Sequence, residues 1–196
     1  MLIRTKSALA TLLAIGVVGA IHAQAPSASQ QGSGAGPAAE HDGANPATFV
    51  KKAAQDGLTE VTLGKQAATK AQDPKVKQFA EHMVKDHSKA NDELTNLARK
   101  KGLEVPSSLD PEHQAIVQKM SGKSGADFDA AYSEEMLKDH KKAVALFEGA
   151  TKSSDSDLAA FAQKTLPTLK EHEQMAQQLP GAMHSAAATE SARRKQ

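Results

Sequence analysis

The chain has 196 residues, enough for one domain of ordinary size, and its 24 Lys and Arg residues nearly balance its 23 Asp and Glu residues. This balance gives no electrostatic reason to expect a nucleic acid partner. The sequence contains no cysteine, so no disulfide can hold the chain together and no lipid-anchored cysteine can tether it. Packing must therefore supply its stability.

Residues 1–23 contain the three parts of an export signal peptide. Arg4 and Lys6 supply the positive start, an apolar run follows over residues 8–21, and small residues favour cleavage after Ala23. The apolar run has about 14 residues, whereas a membrane-spanning helix needs about 20. The sequence therefore predicts an exported, periplasmic protein with no membrane span.

Two segments lack the apolar periodicity of a folded element. Residues 24–45 are rich in Ser, Gly, Pro and Gln, and residues 180–196 are similar, so the first is predicted to be a disordered linker and the second a disordered tail. The folded domain is predicted over residues 46–179. Strand-like alternation of polar and apolar residues is nowhere sustained within it, so no sheet is expected.

Three Asx-Pro pairs mark helix starts, because Asn or Asp caps a helix and proline favours its first position. These pairs are Asn45-Pro46, Asp73-Pro74 and Asp110-Pro111. Ser124 is a further candidate cap. The predicted helices cover, in chain order, residues 46–71, 74–101, 111–120, 126–151 and 156–179.

The lengths of the connections indicate how the helices are arranged. The first two long helices and the last two are each joined by a few residues, which predicts antiparallel hairpins. The hairpins are separated by about 24 residues that include the short helix. Ten helical and 14 extended residues reach roughly 60 Å, more than the 39 Å or so of a 26-residue helix. The predicted fold is therefore all-α, a ferritin-like four-helix bundle with two helical hairpins joined by a long crossover containing a short helix.

One histidine on each of three long helices lies on the apolar stripe that should face the interior. Apolar residues stand three or four positions away on the same stripe in each case. These histidines are His87, His140 and His172. Glu60 lies on or beside the inner edge of the first helix and near its middle. A layer of these four residues would be able to hold a transition metal, namely iron, copper, zinc or manganese.

A second interpretation of this layer stays open, in which the histidines form a polar core without a metal. Carboxylates or a tyrosine would then satisfy the imidazoles, and Tyr132 and Glu135 are candidates for this supporting role. The acids beside the three histidines point about 100° away around each helix, so they are predicted to be flank or surface groups. These acids are Asp86, Asp139 and Glu171. The remaining histidines of the domain and tail are predicted to be peripheral, and they are His82, His113 and His184.

The usual di-iron carboxylate site requires Glu-x-x-His on two helices. The residues three positions before the inner histidines are Val84, Leu137 and Leu169, so a ferroxidase centre of that composition is not predicted. Hydrolase and nucleotide-binding signatures are also missing from the sequence. No catalytic residue is assigned, and an enzyme is the less favoured class.

Three segments resemble a known family: "FVKKAAQDGLTEVTLGKQAATKAQDPKVKQFAEHMVKDHSKANDELTNLARKKGLEVP", "FDAAYSEEMLKDHKKAVALFE" and "FAQKTLPTLKEHEQMAQQL". They are similar to the exported bacterial family called domain of unknown function 4142, often labelled as outer membrane proteins, over about residues 49–179. The resemblance implies a ferritin-like bundle in the cell envelope and no established reaction. The positions that match the family's motif include Glu60, His87, Tyr132, His140, Pro167 and His172.

Two functional hypotheses follow. The first is an exported periplasmic protein that binds a transition metal through its inner histidines and takes part in envelope stress protection. The alternative is a structural or protein-interaction module with a histidine-containing polar core, whose partner would be an envelope protein or the cell wall. The oligomeric state is not predicted.

Overall fold

The computed structural model describes residues 42–182, and these residues form an all-α structure without a β-strand. The all-α prediction is confirmed. Each of the five predicted helices begins and ends within two residues of its predicted boundaries. The helices are α1 (Pro46–Lys70), α2 (Pro74–Lys100), α3 (Pro111–Ser121), α4 (Gly125–Ala150) and α5 (Ser156–Gln177). The predicted signal peptide and most of the predicted linker and tail lie outside the described residues.

The Asx-Pro pairs begin helices as expected. Asn45 Oδ1 accepts the N–H of Thr48 at 3.0 Å, and Asp73 and Asp110 cap α2 and α3 in the same way. Ser124 occupies the cap position of α4 but makes no side-chain cap hydrogen bond. Helix α5 continues across Pro167 without interruption.

Two apolar clusters show the directions of the long helices. The first, called the Phe49 cluster, joins the start of α1 to the ends of α2 and α4 and to the start of α5. The second, called the Tyr132 cluster, joins the end of α1 to the starts of α2 and α4 and to the end of α5. Helix α1 is therefore antiparallel to α2 and α4, and α2 and α4 start at the same end. The segment between them runs back along the length of the long helices.

Polar contacts fix the crossover and the first hairpin against the rest of the domain. The side chain of Gln55 on α1 donates to the carbonyl of Ser108 at 2.9 Å and accepts the N–H of Asp110 at 3.0 Å. At the opposite end, buried Asp129 on α4 accepts the backbone N–H groups of Gln72 and Asp73 at 2.8–3.1 Å. These bonds satisfy backbone groups where the helices end.

Candidate metal centre

The three inner histidines meet in one layer between the two apolar clusters. His87 on α2, His140 on α4 and His172 on α5 are 6%, 0% and 3% exposed. The centres of their rings are 5.3–5.4 Å apart in every pair, close to an equilateral triangle. One ring nitrogen of each lies within 4.8 Å of one ring nitrogen of each of the others. Three separate helices thus bring three imidazoles to one point.

Each imidazole is held through one of its two nitrogens. His87 Nδ1 lies 2.7 Å from Glu60 Oε2, and His140 Nδ1 lies 2.8 Å from the carbonyl oxygen of Met136. His172 Nε2 lies 3.1 Å from Asp86 Oδ2. A neutral imidazole that donates from one nitrogen has a lone pair on the other. This arrangement is typical of metal-binding histidines, whose second nitrogen is fixed by an acceptor.

The nitrogens on the opposite sides of the three rings are buried and have no hydrogen-bond partner. They are His87 Nε2, His140 Nε2 and His172 Nδ1. Within residues 42–182, six buried side-chain nitrogen or oxygen atoms lack a hydrogen-bond partner, and four of the six are these three nitrogens and Glu60 Oε1. Each such atom costs about 1–3 kcal/mol. A bound cation would satisfy the three nitrogens together.

The charges in the layer are set by burial and by the central carboxylate. Burial raises the pKa of Glu60, but the neighbouring His87 and His140 outweigh it and lower that pKa to about 2. Burial lowers the pKa of His87, yet the Glu60 carboxylate outweighs burial and raises it. Burial lowers the pKa of His140, and burial with the two other histidines lowers that of His172 to about 4. Burial therefore favours the neutral forms of His140 and His172, whereas the Glu60 carboxylate favours the protonated form of His87.

The other predicted site residues lie at different distances from the histidines. Glu60 is 2% exposed and sits beside Nδ1 of His87, with its second oxygen 3.6 Å from His140 Nδ1. Tyr132 is fully buried, and its ring stacks on Phe128, while burial and the charge of Glu60 raise the pKa of its hydroxyl. Glu135 is not placed in the layer by any of these contacts, and it pairs instead with Lys138 at 2.7 Å.

Sequence reasoning missed the part played by the acids beside the histidines. Asp86 lies on the flank of α2, as expected, but its carboxylate bonds to His172 on α5, a residue 86 positions away. Asp139 is half-buried, and burial together with Glu135 and Glu60 raises its pKa to about 7. Helical periodicity predicts neither the contact of Asp86 nor the partial burial of Asp139, because it does not reveal which flank of a helix a neighbouring helix covers.

The spacing of the nitrogens suits a small metal ion after a modest adjustment. A point equidistant from three atoms that are 4.8 Å apart lies about 2.8 Å from each, whereas metal–imidazole bonds are about 2.0–2.1 Å long. Each ring would therefore move inward by about 0.7 Å, a shift that side-chain rotation can supply. Imidazole ligands suit zinc, copper, iron and nickel rather than calcium or magnesium.

These observations define an all-helical protein with a buried three-histidine cluster. The chain belongs to the family described as Domain of unknown function (DUF4142), whose model matches residues 28–179. The resemblance noted in the sequence is thereby confirmed. No curated protein matches the chain.

Two solved structures share the fold. "Crystal structure of DUF305 fragment from Deinococcus radiodurans" is 15% identical with a TM-score of 0.60, over 67% of this chain and 92% of that chain. "CopM in the Cu(II)-bound form" is 14% identical with a TM-score of 0.58, over 68% of this chain and 93% of that one. At these identities the likeness shows the fold alone. No helix in the described part of the chain is long and apolar enough to cross a membrane.

Proposed function

We propose that this protein binds one divalent transition metal ion through His87 Nε2, His140 Nε2 and His172 Nδ1. The observation that carries the proposal is the difference between the two nitrogens of each imidazole. One nitrogen is held by an acceptor, and the other is buried without a hydrogen-bond partner. The three rings lie on different helices, and one nitrogen of each is within 4.8 Å of one nitrogen of each of the others. Glu60 then holds His87 in place and contributes charge, rather than acting as the fourth ligand.

The charge of the surroundings suits a divalent cation. Two carboxylates, those of Glu60 and Asp86, each accept a hydrogen bond from one of the ligand imidazoles. Metal binding requires the neutral form of all three imidazoles, so His87 releases its proton, and the two carboxylates then offset the two positive charges of the ion. A buried ion is stable only where such compensation exists.

Copper is the metal that this donor set favours most strongly. Among divalent first-row metals, nitrogen sites generally bind Cu(II) most tightly, ahead of Zn(II), Fe(II) and Mn(II). The structural likeness to CopM, which was solved in a Cu(II)-bound form, supports the same choice. Zinc is the second candidate because it also accepts three imidazoles in tetrahedral sites.

The order and directions of the helices support a ferritin-like four-helix bundle as the finer description of the fold. The α1–α2 and α4–α5 pairs are hairpins, and the crossover that contains α3 separates two helices that start at the same end. This connectivity is the one that ferritin-like bundles have. The metal layer would then lie midway along the bundle, between the two apolar clusters.

The signal-like sequence of residues 1–23 supports export to the periplasm. In that compartment, a buried three-histidine site would sequester copper or zinc away from other envelope proteins. Envelope stress protection is the role that we propose for this sequestration.

Metal titration tests the proposal directly. The purified protein would be titrated with Cu(II), Zn(II), Fe(II) and Mn(II), and we expect one Cu(II) or Zn(II) per chain. The double variant His87→Ala/His140→Ala should lose this binding, whereas His82→Ala, which changes an exposed histidine on the same helix as His87, should retain it. Absence of stoichiometric binding, or binding untouched by the double substitution, contradicts the proposal.

The alternative is a structural or protein-interaction module, and the Glu60–His87 ion pair favours it because that pair stabilises the layer without a metal. This alternative predicts that the double variant lowers the melting temperature while the metal content of the wild-type protein stays negligible. It also predicts that a pull-down recovers one defined envelope protein or cell-wall component.

A further inference from the structure

Three imidazole ligands leave one coordination position open in a tetrahedral site, and a cavity borders two of the three proposed ligands. This cavity has a volume of about 40 Å³ and is bordered by Glu60, His87 and His172. That volume accommodates roughly three water-sized molecules. The space is therefore large enough for a ligand of one or two heavy atoms and too small for an organic substrate.

The cavity lies on only one side of the histidine layer. Its far wall is formed by Leu94, Phe147 and Phe161 of the Phe49 cluster. On the opposite side, Phe79 packs edge-on against His140 with ring centres 6.3 Å apart, and Met83 and Met136 are fully buried. A fourth ligand would thus approach the metal from the cavity rather than from the Tyr132 cluster.

The rim of the cavity connects it with solvent. Its outer lining consists of partly exposed residues from α1, α2 and α5, namely Asp56, Asp86, Ala90, Asn91, Thr165 and Thr168. Two of these residues are aspartates. Their carboxylates disfavour the passage of small anions, whereas an uncharged molecule pays no such electrostatic cost.

We propose that this cavity is the binding site of a small uncharged molecule that completes the coordination of the metal. Water occupies it in the resting state, and a diatomic molecule such as carbon monoxide replaces the water. This inference rests on the proposed function, since the ligand binds to the metal that the three histidines hold. It adds an exchangeable coordination position to what would otherwise be a closed storage site.

Carbon monoxide is a suitable probe because it is uncharged, has two heavy atoms and binds Cu(I). The copper-loaded protein would be reduced from Cu(II) to Cu(I) with ascorbate, which supplies the electron, and then titrated with carbon monoxide. We expect an infrared C–O stretching band from the copper complex.

Ala90→Leu fills the rim of the cavity and should weaken carbon monoxide binding tenfold or more while copper stoichiometry stays unchanged. Ala131→Leu is the matched control, since Ala131 is also half-buried but packs against the Tyr132 cluster.

The outcomes separate this inference from the proposed function. Copper binding without a carbon monoxide band overturns the open position and leaves the metal site standing. A band that is equally strong in Ala90→Leu and in the wild-type protein shows that the ligand enters elsewhere, which also overturns it. Failure of the wild-type protein to bind copper overturns the proposed metal site itself. If Ala90→Leu does not fold, Ala90→Val adds one carbon fewer at the same position and provides the same comparison.

Discussion

Histidines contact carboxylates in two regions of this molecule, and they do so differently. At the crossover, His113 uses both ring nitrogens, with Nδ1 2.7 Å from Asp110 and Nε2 3.3 Å from Asp56. In the inner layer, His87 and His172 each contact one carboxylate through one nitrogen and leave the other nitrogen buried without a partner. The first region has the full set of contacts of a structural ion pair. The second has the incomplete set that a metal ion would complete.

The difference shows that the hydrogen bonds of a histidine indicate better than its burial or its charge whether it can bind a metal ion. His113 and His87 both have a raised pKa, and both are held by acids. His87 differs in that its Nε2 has no hydrogen-bond partner, so this nitrogen can bind a cation once its proton has left. Protonated His113 donates a hydrogen bond from each nitrogen, so it links α3 to α1 and has no lone pair that could bind a metal ion. Substitutions in the two regions should therefore have separate effects on metal affinity and on stability.

The largest expected effect is the loss of metal affinity when a ligand is removed. His140→Ala deletes one of three proposed ligands and should weaken Cu(II) binding by about a thousandfold or more, because loss of a group that only orients a ligand already costs about 10–100-fold. Competition with a chromophoric chelator measures the affinity. His113→Ala is the control from the other region and should leave it unchanged. Equal losses in the two variants would remove the distinction between the regions.

A smaller effect is expected from the group that orients His87. Glu60→Gln keeps the size of the side chain and removes its negative charge, so Cu(II) affinity should fall by about 10–100-fold. The same chelator competition measures it. Glu135→Gln is the matched control, because Glu135 pairs with Lys138 on its own helix. If Glu60→Gln binds Cu(II) as tightly as the wild-type protein does, the Glu60–His87 contact has no part in metal binding.

The smallest expected effect concerns the pH dependence of stability at the crossover. The hydrogen bond to Asp56 is the main cause that raises the pKa of His113 to about 9, from an ordinary value of 6.5, and the bond to Asp110 adds to it. Because the folded-state pKa is the higher one, this contribution to stability is complete below pH 6.5 and is lost as the pH rises towards 9. Solvent screening at this partly exposed pair limits it to about 1 kcal/mol. Denaturant unfolding at pH 6 and pH 9 should show this loss in the wild-type protein and not in His113→Gln. A loss of equal size in both proteins would assign the pH dependence to other groups.

Much of this arrangement could be predicted from the sequence, because helical periodicity fixes which side chains share a face. The Asx-Pro pairs located the starts of α1, α2 and α3, and the apolar stripes placed His87, His140 and His172 on inner faces. The near-central position of Glu60 placed it at the same height. These features depend on local geometry alone, so a single sequence was sufficient.

Contacts between the flanks of neighbouring helices could not be predicted in this way. Asp86 and Asp139 each precede an inner histidine, yet one reaches across to His172 and the other is half-buried near Glu135. Which flank becomes covered depends on the rotation and packing of the adjacent helix, and periodicity does not encode that. The same reason explains why Glu135 was assigned to the layer, although it pairs with Lys138 on its own helix. It also explains how the ion pairs of His113 were missed.

The most direct test of the central claim is a crystal structure of the copper-loaded protein with anomalous scattering measured at the copper edge. Our account predicts one anomalous peak inside the domain, about 2.0–2.1 Å from His87 Nε2, His140 Nε2 and His172 Nδ1, with the contacts of Glu60 and Asp86 preserved. A peak at His113 or on the surface, or an inner layer without copper at saturating concentration, would contradict it.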